Sequence, residues 1–188
     1  MGCAQPQVRG LGHVADGINN GHTIQINYPG GDTLTLGGTA YELVQYHFHN
    51  PSEHTVAGNP FPMEMHMVHR TADGRLAVVG VLIVEGAHNA AFDPVWANLP
   101  TVKGMKTHMP SVNVDVDALL PTVRTSWRYD GSLTTPPCSE DVKWIVMTTP
   151  IALSTEQIRA FTTLVHDNNR PLQAVNGRAV VTDDVSVP

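Results

Sequence analysis

Cysteine is nearly absent from this chain: two residues in 188, too few for a Cys-rich zinc ribbon or a disulfide-dense miniprotein. Positive charge is also scarce, with 11 Lys and Arg against 17 Asp and Glu and a net charge of −6. Such a surface lacks the basic patch that nucleic acid or an anionic membrane would require, so neither is expected as a partner. No run approaches the roughly 20 apolar residues of a membrane span. The start, MGCAQPQVRGLGHVADG, holds no apolar stretch of signal-peptide length, so the chain reads as soluble, with no export signal or with one already removed. What the chain does have is histidine, ten in all, together with 41% hydrophobic residues, enough for a sizeable core. A further 16 Gly and 14 Pro punctuate it into short elements.

Those elements read mostly as strands. HTIQINY (22–28), TLTL (33–36), YELVQYHFH (41–49) and MEMHMVHR (63–70) are each closed by a turn signal of Pro, Gly, Asn or Asp. LAVVGVLIVE (76–85) is almost continuously apolar, the pattern of a strand buried on both faces. KWIVMTTP (143–150) is the last strong strand before a helix opened by Ser154-Thr-Glu-Gln157, a capping box. Shorter helical turns are expected at 93–99 and 117–120. The expected fold is mainly β: one domain around a central twisted, largely antiparallel sheet with a few short peripheral helices.

The histidines are not scattered at random. His47 and His49 stand at i and i+2 of one strand, so both rings leave the same face. A hairpin would bring His66 of the next strand beside them. Three strand-borne imidazoles with no evident fourth protein ligand make a catalytic zinc site with one open position. Gln45 shares the face of the first pair and Glu64 that of His66, and both suit an acceptor for the second N–H of a ligand imidazole. A lone sheet histidine would more simply be a hydrogen-bonded structural residue. That is the reading for His69, on the opposite face from His66, and for His54, expected to hydrogen-bond inside the fold. His13, His88, His108 and His166 read as solvated loop or helix-end residues, and His22 beside Asn19-Asn20-Gly21 is unremarkable by itself. GSLTTPPCSE (131–140) reads unaided as a rigid loop carrying Thr134 and Thr135, and Glu53 as a surface turn residue.

Eight blocks in one order, NNGHT (19–23), YELVQYHFHNPSEHTV (41–56), MEMHMVHR (63–70), LAVVGV (76–81), WANLP (96–100), YDGSLTTPPCSE (129–140), KWIV (143–146) and NNRP (168–171), resemble the α-class carbonic anhydrases, most closely the bacterial branch. The resemblance runs from about Ile18 to Thr182. It implies a catalytic domain over 18–188 after an unmatched segment, 1–17. It also implies a Zn²⁺ lyase that hydrates CO₂ reversibly to bicarbonate and a proton by zinc-hydroxide attack. His47, His49 and His66 match the zinc ligands, and Gln45 and Glu64 the partners behind them. Thr134 matches the threonine that orients the hydroxide and passes its own proton to Glu53. Thr135, Val68, Val78, Leu133 and Trp144 match the substrate pocket, and His22 the proton shuttle, a role suited to an imidazole titrating near neutrality. If 22–28 were a regular strand, His22 and Gln25 would face opposite sides, so a shared cavity requires a bulge or twist.

The resemblance also implies a periplasmic or secreted protein, and a homodimer is compatible with it, bacterial members often being dimers. The chain departs from the family pattern at its start. An N-terminal tyrosine that helps order active-site water has no counterpart. Cys138 stands where the family places half of a disulfide, with Cys3 out of register as its partner. Two other readings compete with this one. A cupin would share H-x-H followed by Glu53, but its second motif is absent. A non-catalytic binding module of the same family would typically have lost a zinc histidine, and none is lost here.

Overall fold

A computed structural model describes residues 13–182. Its strands are β1 (His13–Asn19), β2 (Ile24–Asn27), β3 (Thr33–Leu36), β4 (Thr39–His49), β5 (Thr55–Val56), β6 (Asn59–Pro60), β7 (Met63–Arg70) and β8 (Leu76–Glu85). They continue with β9 (Lys106–Val114), β10 (Ser126–Gly131), β11 (Val142–Met147), β12 (Ile151–Leu153) and β13 (Val181–Thr182). Two short α-helices, α1 (Asp93–Trp96) and α2 (Thr155–Thr162), lie outside them. One 11-stranded sheet runs β13-β10-β11-β8-β7-β4-β2-β1-β9, with β12 beside β8 and β3 beside β4. The pairings are antiparallel except for the two parallel ones, β11 and β12 against β8. The mainly β, largely antiparallel sheet read from the sequence is the fold observed.

Strand β8 earns its continuous apolar run, since β7 flanks it on one side and β11 on the other, with both faces covered. One face of the sheet carries the main core, where Met63, Met65 and Met67 of β7 meet Tyr46 and Phe48 of β4. Phe161 of α2 and Val95 of α1 close that core from outside. The capping box forms as expected: Gln157 N–H donates to Ser154 Oγ, and Ser154 N–H donates to Gln157 Oε1. The opposite face holds a smaller cluster of Val78, Leu82, Val142, Trp144 and Val146.

A register shift in β4 decides which residues reach that second face. Tyr41 and Leu43 point into the main core, yet so do Tyr46 and Phe48, residues of the other parity. The irregularity lies between Leu43 and Gln45, and the extra residue turns the strand over. Without it, Gln45, His47 and His49 would share the face of Leu43 and be buried in the core.

Several elements differ from the sequence reading. Strands β1, β9 and β10 were not anticipated, and they place His13 and His108 in strands rather than in loops. Pattern signals are weak there because the outer strands lack a long apolar alternation. The 22–28 segment is strand only from Ile24 to Asn27, and Asn20 Oδ1 instead accepts the N–H groups of His22 and Thr23 in a turn. The parity conflict for His22 therefore does not arise. The expected turn at 93–99 is a single α turn ending at Trp96, and that at 117–120 is a 3₁₀ turn over Asp117–Leu119. Among the described residues Cys138 is a free thiol; Cys3, and with it the candidate bridge, lies outside them.

Candidate active site

The hairpin of β4 and β7 sets His47 directly across from His66 and His49 across from Glu64. Each of His47, His49 and His66 offers a ring nitrogen within 4.8 Å of the others. His47 Nδ1 donates to Gln45 Oε1 at 2.9 Å, leaving its Nε2 lone pair free. His49 Nδ1 points at the main-chain oxygen of Asn168, 3.3 Å away, and its Nε2 is buried with no hydrogen-bond partner among the described residues. His66 Nε2 lies 3.0 Å from Glu64 Oε1, so Nδ1 remains for a ligand bond. A buried imidazole nitrogen without a partner is costly unless something completes it. A cation that accepts lone pairs, zinc above all, fits the donor set.

Electrostatics agree with that assignment. Burial, reinforced by the neighbouring His66, lowers His49 to about 3, and burial with His66 and His49 holds His47 well below its usual range. Both rings are therefore neutral at pH 7, the state a metal ligand requires. Burial alone would raise the Glu64 carboxyl, but His54 and His66 beside it hold it well below normal. Glu64 is thus a fixed anion behind the site. Gly80 makes room for it, since a Cβ there would stand 2.9 Å from Glu64 Oε1.

His54 is a residue whose part the sequence reading left at hydrogen bonding within the fold. Its main-chain N–H donates to Glu64 Oε2 at 2.8 Å, its Nδ1 lies 2.6 Å from Glu64 Oε1, and its Nε2 lies 2.6 Å from the Tyr129 hydroxyl. Burial opposes a charge on His54, but the Glu64 carboxylate outweighs it and raises its pKa. His54, Glu64 and His66 also cluster closely enough to suggest a second metal group. His54 Nδ1 is hydrogen-bonded to Glu64 Oε1 at 2.6 Å and His66 Nε2 forms an ion-pair contact with the same oxygen at 3.0 Å, separations that leave no space for an ion between them. The trio braces His66.

A cavity of about 260 Å³ opens onto His47 and His66. Its walls include Val68, Val78, Leu133, Thr134, Thr135 and Trp144, so every residue assigned to the substrate pocket meets there. The threonine loop is tied down from outside, because Trp144 Nε1 donates to Ser132 O at 3.0 Å and Arg170 Nη1 reaches Leu133 O at 3.4 Å. Glu53 is buried, its Oε1 accepting the Arg170 N–H at 2.8 Å, while its Oε2 has no hydrogen-bond partner among the described residues and lies 3.9 Å from His66 Nδ1. No hydrogen bond joins Thr134 to Glu53 in this structure. His22 is exposed in its turn and does not line the cavity.

Asn168 went without a role in the sequence reading, although it lies in one of the matching blocks. Its side chain donates to the main-chain oxygens of His22 and Phe48, both at 2.9 Å, and accepts the N–H of Asn50 at 2.7 Å. With its own carbonyl facing His49, one residue ties the His22 turn, the end of β4 and the His49 ring together. Only a polar residue in a run without helix or strand pattern, NNRP, hinted at it.

Comparison with known proteins matches residues 13–184 to the eukaryotic-type carbonic anhydrase model. A carbonic anhydrase of Klebsiella pneumoniae is 47% identical over 176 residues, covering 90% of this chain and 71% of that protein. One from Pectobacterium atrosepticum is 42% identical, covering 87% and 67%. The solved α-carbonic anhydrase of Thermovibrio ammonificans, in complex with the inhibitor sulfanilamide, superposes with a TM-score of 0.91 at 42% identity, covering 94% of this chain and 78% of that one. The cupin alternative falls with these matches. The chain belongs to the eukaryotic-type, or α-class, carbonic anhydrases, a family of enzymes.

Proposed function

We propose that this chain is a zinc carbonic anhydrase that hydrates CO₂ reversibly to bicarbonate and a proton. The observation that carries the reading is the set of three imidazoles converging within 4.8 Å beside an apolar cavity of about 260 Å³. A cavity this small lies below the roughly 300–1,000 Å³ of sites for drug-sized ligands, and it suits a substrate of three atoms. His47, His49 and His66 would hold the ion, with Gln45, Asn168 and Glu64 fixing the three rings. Zinc, when bound, acts as a Lewis acid that brings the pKa of a water to about 7, a value characteristic of carbonic anhydrases themselves.

The chain's own groups then divide the work. Val68, Val78, Leu133 and Trp144 form an apolar wall that holds CO₂ with little competing water. Glu53 Oε2, buried and without a hydrogen-bond partner among the described residues, is the acceptor for the Thr134 hydroxyl. That donation leaves a Thr134 lone pair to accept the proton of the attacking oxygen and so aims the oxygen at carbon. The surplus proton leaves through His22, exposed at the end of its turn and able to exchange with buffer. The same reading places the protein in the periplasm or outside the cell, which fractionation of the native host would test.

Metal analysis of purified protein together with stopped-flow CO₂ hydration tests the reading. About one zinc per chain with hydration inhibited by a sulfonamide is expected. Folded, zinc-loaded protein without hydration activity would overturn it.

A further inference from the structure

The strand that supplies His66 also carries a residue that the proposed chemistry leaves unused. Glu64, His66, Val68 and Arg70 share one face of β7, because side chains alternate along a strand. Their exposure rises in that order: Glu64 and His66 are buried, Val68 is half-buried and Arg70 is exposed. The face thus runs from the floor of the cleft to its rim, and Arg70 lines the same cavity as His47 and His66. No other Lys, Arg, Asp or Glu among the described residues lines it.

Other arginines of the chain are engaged. Arg75 binds Asp73, Arg124 binds Asp117, and Arg178 binds the carbonyls of Ala174 and Val175. Arg70 has no hydrogen-bond or ion-pair partner among the described residues. Glu42 stands across from it in register on β4, but its Oε1 accepts the Gly31 N–H at 3.2 Å. Asp73, in the turn after β7, is held by Thr71 and Arg75. Across from Arg70 on β8 is Leu76, which brings no charge. An unneutralised guanidinium therefore stands at the rim of a largely apolar cavity, in a chain whose net charge is −6. Cleft walls of low dielectric focus the field of such a charge instead of letting water disperse it.

We propose that Arg70 makes the rim of this cavity a subsite for a small carboxylate-like oxyanion. A guanidinium is planar, stays charged at every working pH and meets two oxygens of a carboxylate at once. Under the function proposed above, on which this identification rests, the oxyanion is bicarbonate. Bicarbonate presents such a pair of oxygens, whereas CO₂ is uncharged and passes the rim unsorted. The acidic surface elsewhere repels the anion, and the guanidinium gives it one favoured route between solvent and the imidazole cluster.

Calorimetry of the zinc-loaded chain with two sulfonamides that differ only at the outer end, benzenesulfonamide and its para-carboxylate, tests it. The sulfonamide end seats both compounds at the imidazole cluster, so the ratio of their affinities, compared between parent and variant, reads the rim alone. Arg70→Gln is expected to lower the preference for the carboxylate about two- to fivefold, the range for an exposed ion pair. Arg70→Glu should lower it further, and Arg70→Lys should keep part of it. The difference should shrink as ionic strength rises from about 0.01 to 1 M. Benzenesulfonamide affinity, zinc content and melting temperature are expected to be the same in parent and variants. Bicarbonate should displace benzenesulfonamide less readily from Arg70→Gln by a similar factor. A ratio indifferent to Arg70, or an equal change for both compounds, overturns the proposal while leaving the carbonic anhydrase reading in place. A ratio that falls in Arg70→Gln when the parent hydrates no CO₂ does the reverse, keeping the oxyanion subsite and removing bicarbonate as its ligand. Binding of neither sulfonamide overturns both.

Discussion

The candidate active site is built in two unlike halves. One is borne on strands: His47, His49, His66, Gln45, Glu64, Val68, Val78 and Trp144 all lie in β4, β7, β8 or β11, and their positions follow from strand register. The other is borne on loops, carrying His22, Glu53, Leu133, Thr134, Thr135 and Asn168, where Asn168 bonds the His22 carbonyl and Arg170 bonds Glu53 and the Leu133 carbonyl from distant parts of the chain. The strand half holds its rings by partners behind them, as in the 2.9 Å contact of His47 with Gln45, and leaves His49 Nε2 buried without a hydrogen-bond partner among the described residues. The loop half keeps an open acceptor, Glu53 Oε2. Under the proposed function, metal binding would belong to the strand half and proton handling to the loop half.

Substitutions can break that division or sharpen it. His66→Ala removes a ligand from the strand half, and both zinc content after dialysis and CO₂ hydration are expected to fall to background; retained zinc and activity would contradict the assignment. Thr134→Ala strikes the loop half and is expected to lower kcat/KM roughly 100-fold with zinc content unchanged. Equal loss of metal would show that the halves are not separable. Glu64→Gln should weaken zinc affinity by about 10–100-fold, the range for such partners, carbonic anhydrases included, and competition with a chromophoric chelator reads it directly. His22→Ala should slow turnover several-fold in weak buffer and recover with added imidazole; a variant as fast as the parent removes its shuttle role.

The smallest effect on activity is expected from His69→Gln, on the far face of β7. Burial lowers His69 to about 4, against about 6.5 in the unfolded chain. Between these values only the unfolded chain takes up the proton, so stability falls as pH falls from about 6.5 to 4, by about 3 kcal/mol at most. Above that window both states are neutral and the contribution is constant. Urea unfolding across pH 4–6.5 should show a shallower pH dependence in the variant, with hydration at pH 8 unchanged. An undiminished slope would assign the acid lability elsewhere.

The division also explains what could be read from the sequence. The H-x-H pair, the hairpin partner His66 and the same-face Gln45 and Glu64 follow from a period of two, so this part of the strand half is legible without any relative, whereas Val68, Val78 and Trp144 come only from the resemblance. Glu53, Thr134 and His22 came only from resemblance, because loop geometry leaves no period in the sequence. Asn168 escaped for a further reason: its partners His22, Asn50 and Phe48 lie more than a hundred residues away, and no local pattern encodes a tertiary contact. The register shift near Val44 was hidden as well, since an extra residue looks like any other until its neighbours change faces.

The tie between Asn168 and His49 has a consequence for the order in which the enzyme is made. The three candidate ligand histidines leave the ribosome close together, whereas Asn168 follows His49 by 119 residues, several seconds at about 5–20 residues per second. During that interval the nascent chain would carry all three proposed metal ligands with the His49 ring unbraced and the threonine loop not yet synthesised. Competence is therefore acquired last, when the C-terminal part wraps back over the hairpin, and a chain cut short could capture metal without being able to use it.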